Sequence, residues 1–412
     1  MKYIIKMAIR NVGRNKRRSV LAAVSVALSV MLIVFMQGMI GGVMRSMVRN
    51  YTKNETGHIR ITTKEYQEKQ RFSPVAENLQ SPREIIQEIK NDPEIHQHVK
   101  QITQRIRFGT LMTNKGKSRG AMIVAGDPRK ERSLLMLDRS IKEGGRFLQK
   151  KREIVLGSKL AAALGYSIGD TVDVVTQASD YSLNLRNLVI SGLFETGMNS
   201  LDESAAFISL DDAKKLLRMR SSTQQIVLML DDHRKADRVA SLIDTRLQNE
   251  DLAVTPWTQI GDYGNIVKMS ESTYRFIYAL IALLGAFIIG NIMVMVVMER
   301  RKEIGIMKSM GLKRKEILGL FLSEGMILGT VGSLFGIVLG GLIVTYFHFK
   351  GIDFSSMMNS FRMPLDNVIY FTLNPLGFLK VMLLAAVVSA LVSLGPSWKA
   401  SRLNPVESMK SV

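Results

Sequence analysis

VLAAVSVALSVMLIVFMQGMI, residues 20–40, runs for 21 residues without a charge. As a helix it covers about 30 Å, the thickness of a bilayer's hydrocarbon core. A buried helix of a water-soluble protein seldom stays apolar on every side for that length. A cleaved signal peptide would have a shorter apolar stretch followed by a small-residue cleavage site, and this segment has neither. Residues 276–298 (FIYALIALLGAFIIGNIMVMVVM) are equally clean. Residues 318–347, glycine-rich with the single acid Glu324, and 378–394, closed by Pro396, complete four predicted membrane helices. Lys380 stands where its stem could snorkel to the outer interface.

The 412-residue chain carries 56 Lys and Arg against 36 Asp and Glu, a net charge of +20. Such a balance suits nucleic acid only if the cations share one folded face. Residues 1–19, 299–317 and 396–412 together hold 17 basic and 4 acidic residues, whereas 348–377 is balanced at two of each. By the positive-inside rule those three segments are expected in the cytoplasm. Residues 45–273, with 35 basic and 29 acidic residues, are then expected outside. The charge reads as a topology signal, not as a DNA-binding face. An apolar content of 46% excludes disorder, and the absence of cysteine excludes a disulfide scaffold and thiolate-held zinc or iron–sulfur.

The predicted fold is an α-helical membrane protein with four transmembrane helices and a mixed α/β extracytoplasmic domain inserted between the first two. Its segments are a cytoplasmic piece 1–19, helix 20–44, the domain 45–273, helix 274–298, a cytoplasmic loop 299–317, helix 318–347, an external connection 348–377, helix 378–395 and a cytoplasmic tail 396–412. Within the domain, GHIRIT (57–62) alternates as a strand, as do runs at 102–112 and 119–125. Ser81 and Pro82 read as the N-cap and first position of a helix over REIIQEIK. KREIVLGSKLAAALG (151–165) reads as a strand running into a helix that Gly165 ends. GDTVDVVTQ and LNLRNLVISGLF, separated by ASDYS, read as a hairpin, and SLDDAKKLLRM as a capped amphipathic helix. IVLMLD (226–231) and HRKADRVASLIDTRLQ (233–248) form a further strand–helix pair.

No catalytic constellation emerges. His58, His96, His98, His233 and His348 lack metal-ligand spacing, and His96 with His98 reads as solvated. Asp211 and Asp212 read as helix-start charge. Neither a GxSxG elbow nor a GxxxxGK[ST] phosphate loop occurs.

In the third span Gly325, Gly329 and Ser333 form one four-residue row and Gly332, Gly336 and Gly340 another. Ala385, Ser389 and Ser393 repeat the spacing in the fourth. Such rows let helix backbones approach closely where lipid removes the hydrophobic drive. Packing within the chain and a contact between two copies both satisfy them. Glu324 reads either as a coupling acid or as the partner of a nearby Lys or Arg. Gln37 and Asn291 read as interhelical hydrogen bonds. In ERRKEIGIMKSMGLKRKEI (299–317), Ile304, Ile306, Met307, Met310 and Leu312 stand amid charges, with Gly305 and Gly311 as breaks. A short helix over 300–310 would offer an apolar ridge flanked by cations. A purely topogenic loop on anionic lipid needs no such ridge, so docking to a cytoplasmic partner is expected.

This segment, placed after the second span, resembles the coupling segment of the permeases typified by FtsX, MacB and the Lol lipoprotein-release proteins. AIRNVGRNKRRS (8–19) is similar to their N-terminal signature and GPSWKASRLNPVESMK (395–410) to their C-terminal one. REIVLGSKLAAALGYSIGDTVDVV and ISGLFETGMNSLDESAAFISLDDAKKLL look most like the Lol branch. The resemblance implies a four-helix permease half with a MacB-like periplasmic core domain, in a bacterial inner membrane, with both termini cytoplasmic. It implies an ABC ATPase subunit dimer and a second permease, the same or a homologous chain, as partners besides membrane lipid. For a Lol-like role a lipoprotein substrate and a periplasmic carrier join them. No cofactor is expected on this chain; ATP and magnesium belong to the separate ATPase, which drives movement through the coupling segment. The protruding hairpin that recruits the carrier is not evident, because the link at 178–182 is short. Tripartite drug or peptide export and FtsX-like control of cell-wall hydrolases are the alternatives.

On that resemblance Glu299, Arg300, Arg301, Lys302, Glu303, Ile304, Gly305, Met307, Lys308, Met310 and Gly311 are expected to meet the ATPase, with Ile304, Met307 and Met310 as anchors. The substrate is expected at the outer ends of two spans: Phe35, Met36, Met39, Ile40, Val43 and Met47 on the first, Phe276, Ile277 and Leu280 on the second. Methionine adapts to varied acyl chains.

Overall fold

The computed structural model describes residues 2–14, 16–135, 140–196, 199–261, 263–354 and 365–402. It forms two compact units, one of Met1–Met44, Met269–Ile352 and Ile369–Val412, the other of Arg45–Lys268 and Asp353–Val368. Residues 403–410 of the C-terminal signature lie outside the described residues.

In the first unit, four helices are long and apolar enough to cross a membrane: Lys16–Asn54, Gly264–Glu299, Arg314–Lys350 and Pro375–Lys399. Each continues past its apolar stretch, because charged and polar residues are good helix formers once packing has fixed the axis. The fourth does not stop at Pro396; its helix runs over Pro375–Arg402 with the proline inside. Beside it the Ser393 and Ser397 hydroxyls bond the Ser389 and Ser393 carbonyls one turn back. Both glycine rows of the third span are filled from within the chain. A Cβ on Gly325 or Gly329 would strike Ser393 or Ser389 of the fourth span, and one on Gly332, Gly336 or Gly340 would strike Val26, Val30 or Val34 of the first. Ser333 is fully buried in the same seam. Asn291 is exposed, and the buried Gln37 Oε1 finds no hydrogen-bond partner among the described residues.

The second unit is a nine-stranded mixed sheet with helices against it. The strands are β1 (Ile59–Thr63), β2 (Val99–Asn114), β3 (Lys117–Gly126), β4 (Glu153–Gly157), β5 (Thr171–Gln177), β6 (Leu183–Phe194), β7 (Ala205–Ser209), β8 (Gln225–Leu230) and β9 (Leu252–Pro256). In chain order they all fall between the first and second apolar helices. Their spatial order is β3-β7-β4-β6-β5-β2-β8-β1-β9, with β2 also pairing β3, so six strands close into a ring. The 16-residue β2 joins two cores. Its far half gives Phe108 and Met112 to a core with Leu156, Leu160 and Ile190, and its near half gives Ile102 to one with Ile59, Ile61, Ile226, Leu228 and Ile243. Strand β5, TVDVVTQ, alternates buried and exposed along its length, as a half-buried antiparallel strand requires.

Local signals act as expected at several joints. Gly165 closes helix Ser158–Leu164 at φ 74°, β5 and β6 pair as a hairpin, and Ser209 Oγ accepts the Asp212 amide at the start of Leu210–Leu216. Ser81 is different: its side chain makes no capping bond, and Pro82 alone opens Pro82–Asn91. Asp212 is more than helix-start charge, since it is buried and takes Arg186 Nη2 at 2.9 Å and the Arg152 amide at 2.9 Å.

Candidate coupling site and apolar cavity

The second span ends at Glu299, and Arg300 turns the chain before a short helix, Arg301–Ser309. That helix closes on Gly311, whose φ of 96° lies in the region that favours glycine. Lys313 then opens the third span, its amide bonded to Glu316 Oε2 at 2.7 Å. Gly305 is not a break: it sits buried inside the helix. One helical glycine costs about 1 kcal/mol, which the packing of neighbouring Ile304 offsets.

The apolar ridge is turned differently from the expectation. Ile304 is 0% exposed and joins Val297, Ile317 and Phe321 in the core of this unit. Two helical positions on, about 200° around the axis, Ile306 is 48% exposed, and Met310 is 69% exposed. Met307 and Lys308 are half-buried; Glu299, Lys302, Glu303 and Gly311 are exposed. Ile304 is therefore corrected from outward anchor to core residue, and Ile306 takes its place on the surface.

Arg300 also points inward. Its Nη1 donates to Glu324 Oε1 at 2.9 Å, and that oxygen also accepts Asn11 Nδ2 at 2.7 Å. Arg300 and Glu324 are 5% and 4% exposed. Around them Arg14 pairs with Glu303 and Arg18 with Glu299. The N-terminal helix Lys2–Arg14, the start of the first span, the end of the second, the short helix and the third span are thus tied through charge. A shift of Arg301–Ser309 would be felt by all of them. Arg300 was hidden in the sequence, because in the run ERRKE every cation reads as solvated. Glu324, a lone acid in an apolar span, was the one available signal.

A cavity of about 280 Å³ opens among the first, second and fourth spans. Val26, Val30 and Ile33, then Ala282 and Ala286, then Val381, Ala385 and Val388 make its walls. Gln37 of the first span and Arg275 and Tyr278 of the antiparallel second lie at one end. The nine residues expected to line substrate do not surround it. Ile40 and Met47 are 6% and 3% exposed, Phe35 meets Phe371 edge-on at 5.4 Å, and Met39 packs in the same cluster. Met36, Val43 and Ile277 are half-buried, while Phe276 and Leu280 face outward. The chain itself covers the end of the first span: the Thr372 amide donates to the Gly38 carbonyl at 3.0 Å, over glycines 38, 41 and 42 that leave it room. Among the described residues no group of three His, Asp or Glu could hold a metal ion.

Residues 19–246 match the MacB-like periplasmic core domain family and residues 275–405 the FtsX-like permease C-terminal family. The lipoprotein-releasing system transmembrane protein LolC of Xylella fastidiosa is 30% identical over 297 residues, covering 69% of this chain and 71% of its own. LolC of Neisseria meningitidis is 26% identical over 73% of this chain and 75% of its own. The macrolide export ATP-binding/permease protein MacB of Nitrobacter winogradskyi is 25% identical over 64% of this chain and 40% of its own length. With one family matched over more than half of its length and another over its apolar C-terminal part, the chain is a multi-pass membrane protein that belongs to the FtsX/MacB/Lol family of ABC transporter permeases.

Proposed function

We propose that this chain is the permease half of a machine that lifts lipoproteins out of the outer leaflet of a bacterial inner membrane, driven by a separate ATPase. The observation that carries the reading is the cavity among the first, second and fourth spans. Its walls are apolar enough for acyl chains, and the unpartnered Gln37 amide oxygen with Arg275 and Tyr278 gives one end a polar character. A triacylated lipoprotein terminus has that division of apolar tail and hydrogen-bonding head. Relatives named for lipoprotein release support the same reading. In this account both termini and residues 299–317 face the cytoplasm, and the sheet unit lies outside. The ATPase docks on the Ile306 and Met310 face of Arg301–Ser309, and ties through Arg300 and Glu324 carry its closure to the spans. A second permease completes the assembly.

Depleting the protein should strand outer-membrane lipoproteins in the inner membrane, read by fractionation; unchanged sorting would remove the lipoprotein reading. The MacB relative keeps one other substrate class open, a different amphiphile exported with an adaptor and channel. Normal lipoprotein sorting together with sensitivity to macrolides or peptides would favour it.

A further inference from the structure

A second pocket, of about 320 Å³, lies wholly within the sheet unit, and its lining is cationic. Arg45, Arg49 and Lys53 follow one another at four-residue steps, so they share one face of the chain where the first long helix leaves its apolar stretch. Lys100, at the start of β2, faces the same space. Among the described residues that line it, Asp231 is the one carboxylate, and it is held by Lys235 Nζ at 2.8 Å. Arg49 is paired with Asp366, which Asn50 also engages at 3.0 Å. Arg45 and Lys100 have no carboxylate partner among the described residues.

The pocket also holds two imidazoles, His58 and His233, with ring centroids 6.1 Å apart. His58 Nδ1 accepts the Leu230 amide at 2.9 Å, which leaves the ring's proton on Nε2 as a donor. Cations from two separate segments, 45–53 and Lys100, line a cavity whose one lining carboxylate, Asp231, is already held by Lys235. Their mutual repulsion is relieved when an anion enters, and guanidinium forks match the oxygens of a phosphate.

We propose that this pocket binds a phosphate-bearing anion. The position of the stripe favours the phosphodiester of a lipid headgroup as the source. Arg45 is the first residue after the apolar run 20–44, and Lys53 is about 12 Å further along the helix. The polar headgroup layer adds about 5–8 Å to each side of the hydrocarbon core, so Arg45 and Arg49 reach phosphate level. The site shares no lining residue with the apolar cavity and does not depend on the lipoprotein reading.

The test uses the full chain purified in detergent and native mass spectrometry with added phosphatidylglycerol, diacylglycerol or inorganic phosphate. Phosphatidylglycerol should be retained and diacylglycerol not. Arg45→Gln with Lys100→Gln should weaken retention at least about tenfold, since each substitution removes one charge-assisted contact. Arg234→Gln, which removes an equal charge from an 81% exposed side chain outside the pocket, should leave it unchanged. If the double variant folds poorly, Lys100→Gln alone should still lower retention. Binding of inorganic phosphate without the lipid, lost in the same variants, would support the site and assign it to a soluble anion. Equal retention of phosphatidylglycerol by wild type and both pocket variants, with no bound phosphate, would overturn it.

Discussion

Two buried arginine–glutamate pairs, one in each unit, are held in different ways. In the sheet unit Arg105 is 0% exposed, and its donors are taken up: Nε and Nη2 reach Glu131 at 3.1 and 2.6 Å, and Nη2 and Nη1 reach the Lys53 and Asn54 carbonyls at 3.1 and 3.4 Å. In the helical unit Arg300 has one good bond, to Glu324, while its Nε and Nη2 are buried without a hydrogen bond. A fully satisfied buried ion holds one arrangement, whereas a partly satisfied one leaves alternatives close in energy. The Arg105–Glu131 pair is therefore a fixed strut, although Arg107 and Arg186 of the same unit each keep a buried Nε without a hydrogen bond. The Arg300–Glu324 pair forms the looser joint of the two, with Arg300 Nε only 3.5 Å from Glu303 Oε2 and no hydrogen bond there, where the second span, the short helix and the third span meet.

The largest effect that would sharpen this contrast is Arg105→Ala. It leaves Glu131 buried without its cation and should cost about 3–5 kcal/mol, read as a lower unfolding temperature of the sheet unit. A change below about 1 kcal/mol would mean that the pair is not the fixed strut described.

Acid should probe the same unit. Burial, with His233 beside it, pushes the His58 imidazole down from its usual 6.5 to about 4, and burial lowers His233 as well. The unfolded chain then binds protons that the folded one refuses, so stability falls as pH drops from about 6.5 to about 4 and levels off below. From His58 alone the loss amounts to about 3 kcal/mol. His58→Gln should flatten that part of the profile; an unchanged slope would place the protonation elsewhere.

The joint in the helical unit should respond more mildly in stability and more strongly in work done. Glu324→Gln keeps the shape and removes the charge opposite Arg300, with an expected cost of about 1.5–3 kcal/mol. The assembled complex should still bind its ATPase and hydrolyse ATP, but substrate should no longer stimulate hydrolysis. Normal stimulation would show that the tie carries no motion.

Much of the fold was legible in the sequence, whereas the contrast between the two buried pairs was hidden for physical reasons. The spans announced themselves through length without charge, and Gly165, Ser209 and the 178–182 turn worked because their signals are local. Strand order was not legible: β4 lies between β6 and β7, with parallel pairing on one side and antiparallel on the other, and long-range contacts decide that. The glycine rows predicted close packing, yet their partners could be read only from Val26, Val30 and Val34 standing opposite. In the coupling segment the ridge was visible, but which side of it faces inward depended on the core formed with Val297 and Phe321. That Phe35, Met39 and Ile40 would be packed away from the cavity was not legible, because segment 369–372, which covers the end of the first span, carries no sequence signal of that role.

The chain contains no cysteine, so a single introduced thiol reports one position. The central claim is that an ATPase seats on the exposed face of Arg301–Ser309. Ile306→Cys bearing a short photo-crosslinker should, in native membranes, capture an ATP-hydrolysing subunit, while the same probe at exposed Leu342 in the third span should not. Capture of no ATPase at position 306, or equal capture at both positions, would contradict the account.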